Sequence, residues 1–206
     1  MSEKIVRDGV EAYLGERLRS ARPLGGGCIG EVSRAELADG TAVVAKVDRE
    51  GESHLEREAY MLRYLRGKSD LPVPEVYHGS ETLLLMEFIE GSSRFSEGAE
   101  HHGAELLAAL HGVTADVYGH ERDTLIGSLD QPNPQTEDWV DFFREQRLLY
   151  MANVAREAGR LPVDDLRRVE RLSEKLDGLI GEPNPPALIH GDVWSANVLE
   201  AVREGR

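Results

Sequence analysis

Three glycines near the N-terminal end narrow the fold of this 206-residue chain more than any other feature. Gly25, Gly27 and Gly30 fit G-x-G-x-x-G, and Asp48 lies 18 residues beyond the last of them, which is the outline of a dinucleotide-binding fingerprint. That fingerprint needs a helix straight after the glycines. Here Glu31-Val32-Ser33-Arg34-Ala35-Glu36-Leu37 alternates as a strand, Asp39-Gly40 turns, and Thr41-Ala42-Val43-Val44-Ala45-Lys46-Val47 runs back. The glycines therefore lead into a β-hairpin. No Gly-Lys-Ser/Thr follows, so a Walker loop is excluded. An ordinary turn remains one reading of the cluster, and a loop that covers phosphates from between two strands is the other.

Lys46 interrupts an otherwise apolar run, Val43-Val44-Ala45-Lys46-Val47, close in kind to the V-A-I-K strand of kinases, where a Lys reaches the nucleotide phosphates. A solvated edge lysine is the bland alternative. Helical spacing from Leu55 to Leu65 puts Glu58 on the face of Leu55, Leu62 and Leu65, where it could pair with Lys46, and Glu56 is its competitor. Leu71-Pro72-Val73-Pro74-Glu75-Val76-Tyr77 reads as an extended connector. Thr82-Leu83-Leu84-Leu85-Met86-Glu87-Phe88-Ile89-Glu90-Gly91 then reads as a buried strand ending in a turn, the position of a kinase-type hinge. There Glu87 and Ile89 would meet adenine through their main chain.

The stretch Leu188-Ile189-His190-Gly191-Asp192-Val193-Trp194-Ser195-Ala196-Asn197-Val198-Leu199 holds the densest chemistry. Two apolar pairs flank a polar loop, so a short hairpin is expected. The five-residue offset from Asp192 to Asn197 matches the D-x-x-x-x-N of a kinase catalytic loop, whose Asp accepts the proton of the attacking hydroxyl and whose Asn ligates magnesium. Asp192 is thus the candidate base and Asn197 the candidate metal ligand. A solvated turn in which Asp192 caps a helix and Trp194 is core stays open.

Elsewhere the spacing predicts a helix over 3–18, a helix over 102–115 with His111 packed on its apolar side, and a loop over 127–135. Trp139, Val140, Phe142, Phe143, Leu148 and Leu149 form an apolar helix face, and 161–180 forms another. The net charge of −14 argues against binding nucleic acid or an anionic membrane, so a phosphate site here must rest on backbone N–H groups, a specific cation and metal ions. The N-terminus lacks the apolar core of a signal peptide and the single Cys28 cannot form an internal disulfide, from which a cytoplasmic setting is expected.

Taken together, Gly26-Gly27-Cys28-Ile29, the Lys46 strand, Met86-Glu87-Phe88, Leu106 to His111, Gln131-Pro132-Asn133, Trp139-Val140-Asp141-Phe142-Phe143 with Arg147-Leu148, and His190 to Asn197 resemble the fructosamine kinase (ketosamine-3-kinase) family, which is aminoglycoside phosphotransferase-like. The resemblance implies an α+β, bilobal protein-kinase-like fold, with a small antiparallel-sheet N-lobe over 1–88 and a mainly helical, shortened C-lobe over 89–206. It implies ATP and Mg2+ as cofactors, and transfer of phosphate to the sugar 3-hydroxyl of ketoamine small molecules or glycated protein side chains. By the same resemblance Asp192 is the base and Asn197 the metal ligand. Gly26, Gly27, Cys28, Lys46, Glu58, Met86, Glu87 and Ile89 line the nucleotide, and Trp194 and His190 the sugar. Another acceptor, aminoglycoside- or choline-like, is the runner-up. Family members carry a second magnesium-binding Asp in an Asp-Pro-Ala-like segment after the loop, and only seven residues follow Leu199 here. A nucleotide-binding chain with little turnover is therefore a further expectation, as are apolar faces left partly uncovered around Phe142, Phe143 and Leu148.

Overall fold

The computed structural model describes residues 2–25, 31–49, 54–181, 185–195 and 197–201. Contacts divide the chain into two compact units, one of residues 1–111, 125–128 and 189–206, the other of 112–124 and 129–188. Residues 89–111 and the loop at 189–201 thus group with the sheet.

The first unit begins with α1 (Ser2–Leu14), followed by β1 (Leu18–Pro23), β2 (Glu31–Leu37) and β3 (Ala42–Val47). Then come α2 (Leu55–Lys68), β4 (Val76–Gly79), β5 (Leu83–Glu87) and α3 (Glu97–His111). The strands make one antiparallel sheet in the order β1-β2-β3-β5-β4. Strand alternation sends Ala35, Leu37, Val43, Ala45, Val47, Leu83 and Leu85 to one face, where they are buried with Val6 and Val10 of α1. On the opposite face Leu84 is buried with Leu55 and Ala59 of α2, and Met86 packs beside them. Full burial of a leucine such as Leu84 or Leu85 contributes about 2–3 kcal/mol.

The helix expected over 3–18 stops at Leu14, because Gly15 takes a left-handed φ of +70° and Leu18 turns inward as the first residue of β1. The hairpin of β2 and β3 forms as expected, with Leu37 N–H donating to Thr41 O at 2.8 Å. His111 is exposed at the end of α3, not packed, since the apolar contacts of that helix run through Leu110.

In the second unit α4 (Trp139–Phe143), a π-helical turn over Arg144–Leu149 and α5 (Tyr150–Glu157) follow one another without a break, and α6 (Val163–Ser173) comes after them. Asp138 caps this run by accepting a hydrogen bond from Asp141 N–H at 2.7 Å. The apolar face expected to lie partly uncovered is part-buried at Phe143 and Leu148 and closed at Phe142. Phe142 is buried, with the Arg147 guanidinium over its ring and Trp139 alongside. Arg147 also donates to Asn133 Oδ1 at 2.5 Å and Pro132 O at 2.7 Å, which ties the Gln131-Pro132-Asn133 turn to the π segment. Burial lowers the Arg147 pKa, and these neutral acceptors satisfy a guanidinium for which no carboxylate partner occurs among the described residues.

Candidate active site

Two clusters of the expected site residues come together in the first unit. The first is built on β3. Its register sets Lys46 opposite Val32 on one side and Leu84 on the other, and sets Val44 opposite Arg34 and Met86. Side chains directly opposite one another share a face. Lys46 therefore projects from a part-buried shelf of Val32, Val44 and Met86, on the face where α2 packs over Leu84. Burial of Leu55 and Ala59 orients α2 so that Glu58 meets this shelf, and Glu58 Oε1 accepts from Lys46 Nζ at 2.5 Å. The competitor Glu56 is exposed. With 22% and 33% of their side chains exposed, the two charges hold each other in place while the ammonium stays open to a ligand.

The hinge-like segment follows β5. Met86 and Glu87 end the strand, with Val43 paired to Glu87, and Ile89 is part-buried just beyond. The Glu87 N–H donates to Glu75 O at 2.8 Å and its carboxylate accepts from Glu75 N–H at 3.1 Å. The Glu87 N–H is thus committed within the sheet and unavailable to a base. Gly26, Gly27 and Cys28 lie outside the described residues.

The second cluster is the loop. Asn197 Nδ2 donates to Asp192 Oδ2 at 2.6 Å and to Asp192 O at 3.1 Å, and Asn197 N–H closes a turn onto Trp194 O at 2.9 Å. Because its amide N–H groups are spent on Asp192, Asn197 turns Oδ1 outward as its remaining acceptor. Asp192 N–H donates to His190 Nδ1 at 3.3 Å, across Gly191 at a φ of +85°. This stretch is not the hairpin expected. Leu188 N–H bonds Val113 O, whereas Glu200 pairs with Ser92, so the two arms of the stretch have different partners. Trp194 is 54% exposed and is not core.

Among the described residues no three His, Cys, Asp or Glu side chains converge as a metal site. Asn197 Oδ1 fits magnesium only in part, as one neutral oxygen donor toward a shell that phosphates and water would complete, since Nδ2 is the atom set against the Asp192 carboxylate. Glu200, the described carboxylate nearest in sequence, is turned away: Oε1 accepts from the Ser96 hydroxyl and Oε2 from the Ser96 N–H, each at 2.8 Å. Sequence reasoning missed this contact, which joins residues 104 positions apart and has no local pattern that would announce it.

A sequence model of the fructosamine kinase family matches residues 2–205. A candidate ketoamine kinase of Synechocystis sp. is 33% identical over 190 residues, covering 88% of this chain and 62% of the relative. The chloroplastic protein-ribulosamine 3-kinase of Arabidopsis thaliana is 30% identical, covering 85% and 55%. The chain thus spans about six-tenths of the length of these relatives. The crystal structure of a candidate fructosamine-3-kinase from Thermobifida fusca superposes with a TM-score of 0.79 at 34% identity, over 94% of this chain and 68% of that one. A macrolide 2'-phosphotransferase from Brachybacterium faecium, at TM-score 0.58 and 18% identity over 98% of this chain and 68% of its own, shares the fold alone. The α+β, protein-kinase-like fold expected from the sequence is the one these neighbours have.

Proposed function

The chain belongs to the fructosamine kinase family, and from that premise we propose that it binds ATP and transfers the γ-phosphoryl group to the 3-hydroxyl of a sugar joined to an amine as a ketoamine. The observation that carries this reading is the Asp192–Asn197 hydrogen bond of 2.6 Å, which holds a carboxylate and an outward amide oxygen on one loop. A neutral sugar hydroxyl is a poor nucleophile until a base takes its proton, and Asp192 is that base. Asn197 Oδ1 would hold Mg2+, whose charge neutralises the phosphates when it is bound. Lys46, braced by Glu58, holds the nucleotide phosphates over the shelf of Val32, Val44 and Met86. Ile89 and the glycine cluster at Gly26, Gly27 and Cys28 complete the nucleotide site, and Trp194 and His190 wall the sugar. Phosphorylation of the sugar destabilises its adduct with the amine, so the product role is repair of glycated amines, free or on protein side chains, within the cytoplasm.

One observation favours a second reading, nucleotide binding with little turnover. The Glu200 carboxylate is committed to Ser96, so among the described residues the loop offers Asn197 no carboxylate companion for a metal ion other than Asp192, the base of the first reading. ADP release measured with Mg-ATP and a panel of ribulose-amines, fructose-amines, an aminoglycoside and choline separates the readings. Release with ketoamines alone is expected. Release with the aminoglycoside or choline instead would reassign the acceptor, and binding of nucleotide without release would leave only the second reading.

A further inference from the structure

The segment that leaves the loop is tied to the segment that leaves β5 by contacts that none of the roles above uses. Ser92 N–H donates to Glu200 O at 2.9 Å and Glu200 N–H to Ser92 O at 2.8 Å, a reciprocal antiparallel bridge. Beside it both oxygens of the Glu200 carboxylate are filled by Ser96, as described above. Ser96 is in turn built into the start of α3: its Oγ accepts from Ala99 N–H at 3.2 Å and its carbonyl from Glu100 N–H at 3.0 Å. The approach is close enough to need a glycine. A Cβ on Gly91 would stand 2.8 Å from Glu200 O and 3.1 Å from Leu199 Cβ.

The loop has little else to hold it. Asp192, Val193, Trp194, Ser195 and Asn197 are all exposed, so no apolar core sets their positions. Asn197 precedes Glu200 by three residues, a tether of at most about 10 Å of chain. Whatever immobilises Glu200 therefore limits where Asn197 can go.

We propose that Glu200 is a positioning residue: locked on Ser92 and Ser96 across Gly91, it anchors the outgoing arm of the loop to the start of α3 and so keeps Asn197 in register with Asp192. This rests on the reading of that loop as the active site. The Ser96 backbone N–H, and after it the Ser96 hydroxyl, hold the Glu200 carboxyl below the usual carboxylate range. A group whose folded pKa is lowered contributes stability above its unfolded value and loses it as pH falls through the folded one. The latch is accordingly closed at neutral pH and opens only in acid.

Hydrogen exchange across the whole chain tests the latch without requiring turnover. In Glu200→Ala, peptides covering 191–201 are expected to exchange about tenfold faster, while β3 and α2 exchange as in the wild type. Adding Ser96→Ala to Glu200→Ala should speed peptides 191–201 little further, because the contact it removes in addition, that of Ser96 Oγ with Ala99 N–H, lies in α3. Glu200→Gln keeps one acceptor oxygen and should fall between. Unchanged loop exchange in Glu200→Ala overturns the latch, and so does acceleration shared equally by β3 and α2, which is global destabilisation. A second arm compares ADP affinity with and without Mg2+: Glu200→Ala is expected to weaken the magnesium-dependent affinity about tenfold and leave the magnesium-free affinity unchanged. Faster loop exchange with unaltered magnesium-dependent affinity overturns the positioning of Asn197. A wild-type chain that binds no nucleotide refutes the kinase reading, and exchange then judges the latch by itself.

Discussion

The two clusters of the site are held by different physics. Lys46 and Glu58 stand on a strand and a helix anchored by buried Val43, Ala45, Leu55 and Ala59, so their meeting follows from packing. Asp192 and Asn197 stand on an exposed loop whose geometry rests on hydrogen bonds to each other, to His190 and Trp194, and at Glu200 to Ser92 and Ser96. A packed cluster resists small perturbations because many contacts must fail together. A hydrogen-bonded loop yields one contact at a time, and on the proposed function such a loop would suit a part that admits substrate and releases product.

This contrast can be broken from either side. The largest effect should come from the packed side: Leu85→Ala, at a site with no exposed surface, is expected to lower unfolding stability by about 2–5 kcal/mol in a denaturant titration. A loss well under that range would mean that the sheet does not carry the stability assigned to it. Next comes Asp192→Asn, expected to cut ADP release at least about a hundredfold, close to 2.7 kcal/mol of barrier, with unfolding changed by no more than about 0.5 kcal/mol. Turnover that survives this substitution removes Asp192 from the chemistry. Smaller again, Lys46→Met should weaken ATP binding about tenfold and lower stability by about 1 kcal/mol or less, since the pair it breaks is part-exposed. If Glu58→Gln left ATP binding untouched, the ion pair would be structural support only. The smallest change in stability, within about 0.5 kcal/mol, is expected for Trp194→Ala, 54% exposed in the wild type. Its KM for ketoamine should rise while its KM for ATP stays level, and the reverse pattern would move Trp194 out of the sugar site.

How far each cluster could be read in advance follows the same divide. The glycines followed by alternation and an Asp39-Gly40 turn announced β2 and β3, because strand period and turn chemistry are local. Glu58 was placed on the correct helix face by its spacing from Leu55, and the structure preferred it to Glu56 for that reason. The end of α1 was misjudged, since Leu18 fits a helical period and only Gly15 marks the break. The loop was recognised by residue type, yet its shape was not, because apolar pairs flanking a polar turn do not reveal that Leu188 bonds Val113 and Glu200 bonds Ser92.

By itself, then, the sequence determined β2, β3 and β5, the side of α2 on which Glu58 stands and the identity of the groups in the loop, all of which depend on periodicity or on offsets of a few residues. Tertiary structure alone decided the work of Glu200, the commitment of the Glu87 N–H to Glu75, and the hold of Arg147 on Asn133. Each of these joins residues well apart in the chain through one or two polar contacts. Such contacts impose no repeating pattern on the residues between them, so they become visible only once the backbone has brought the partners together.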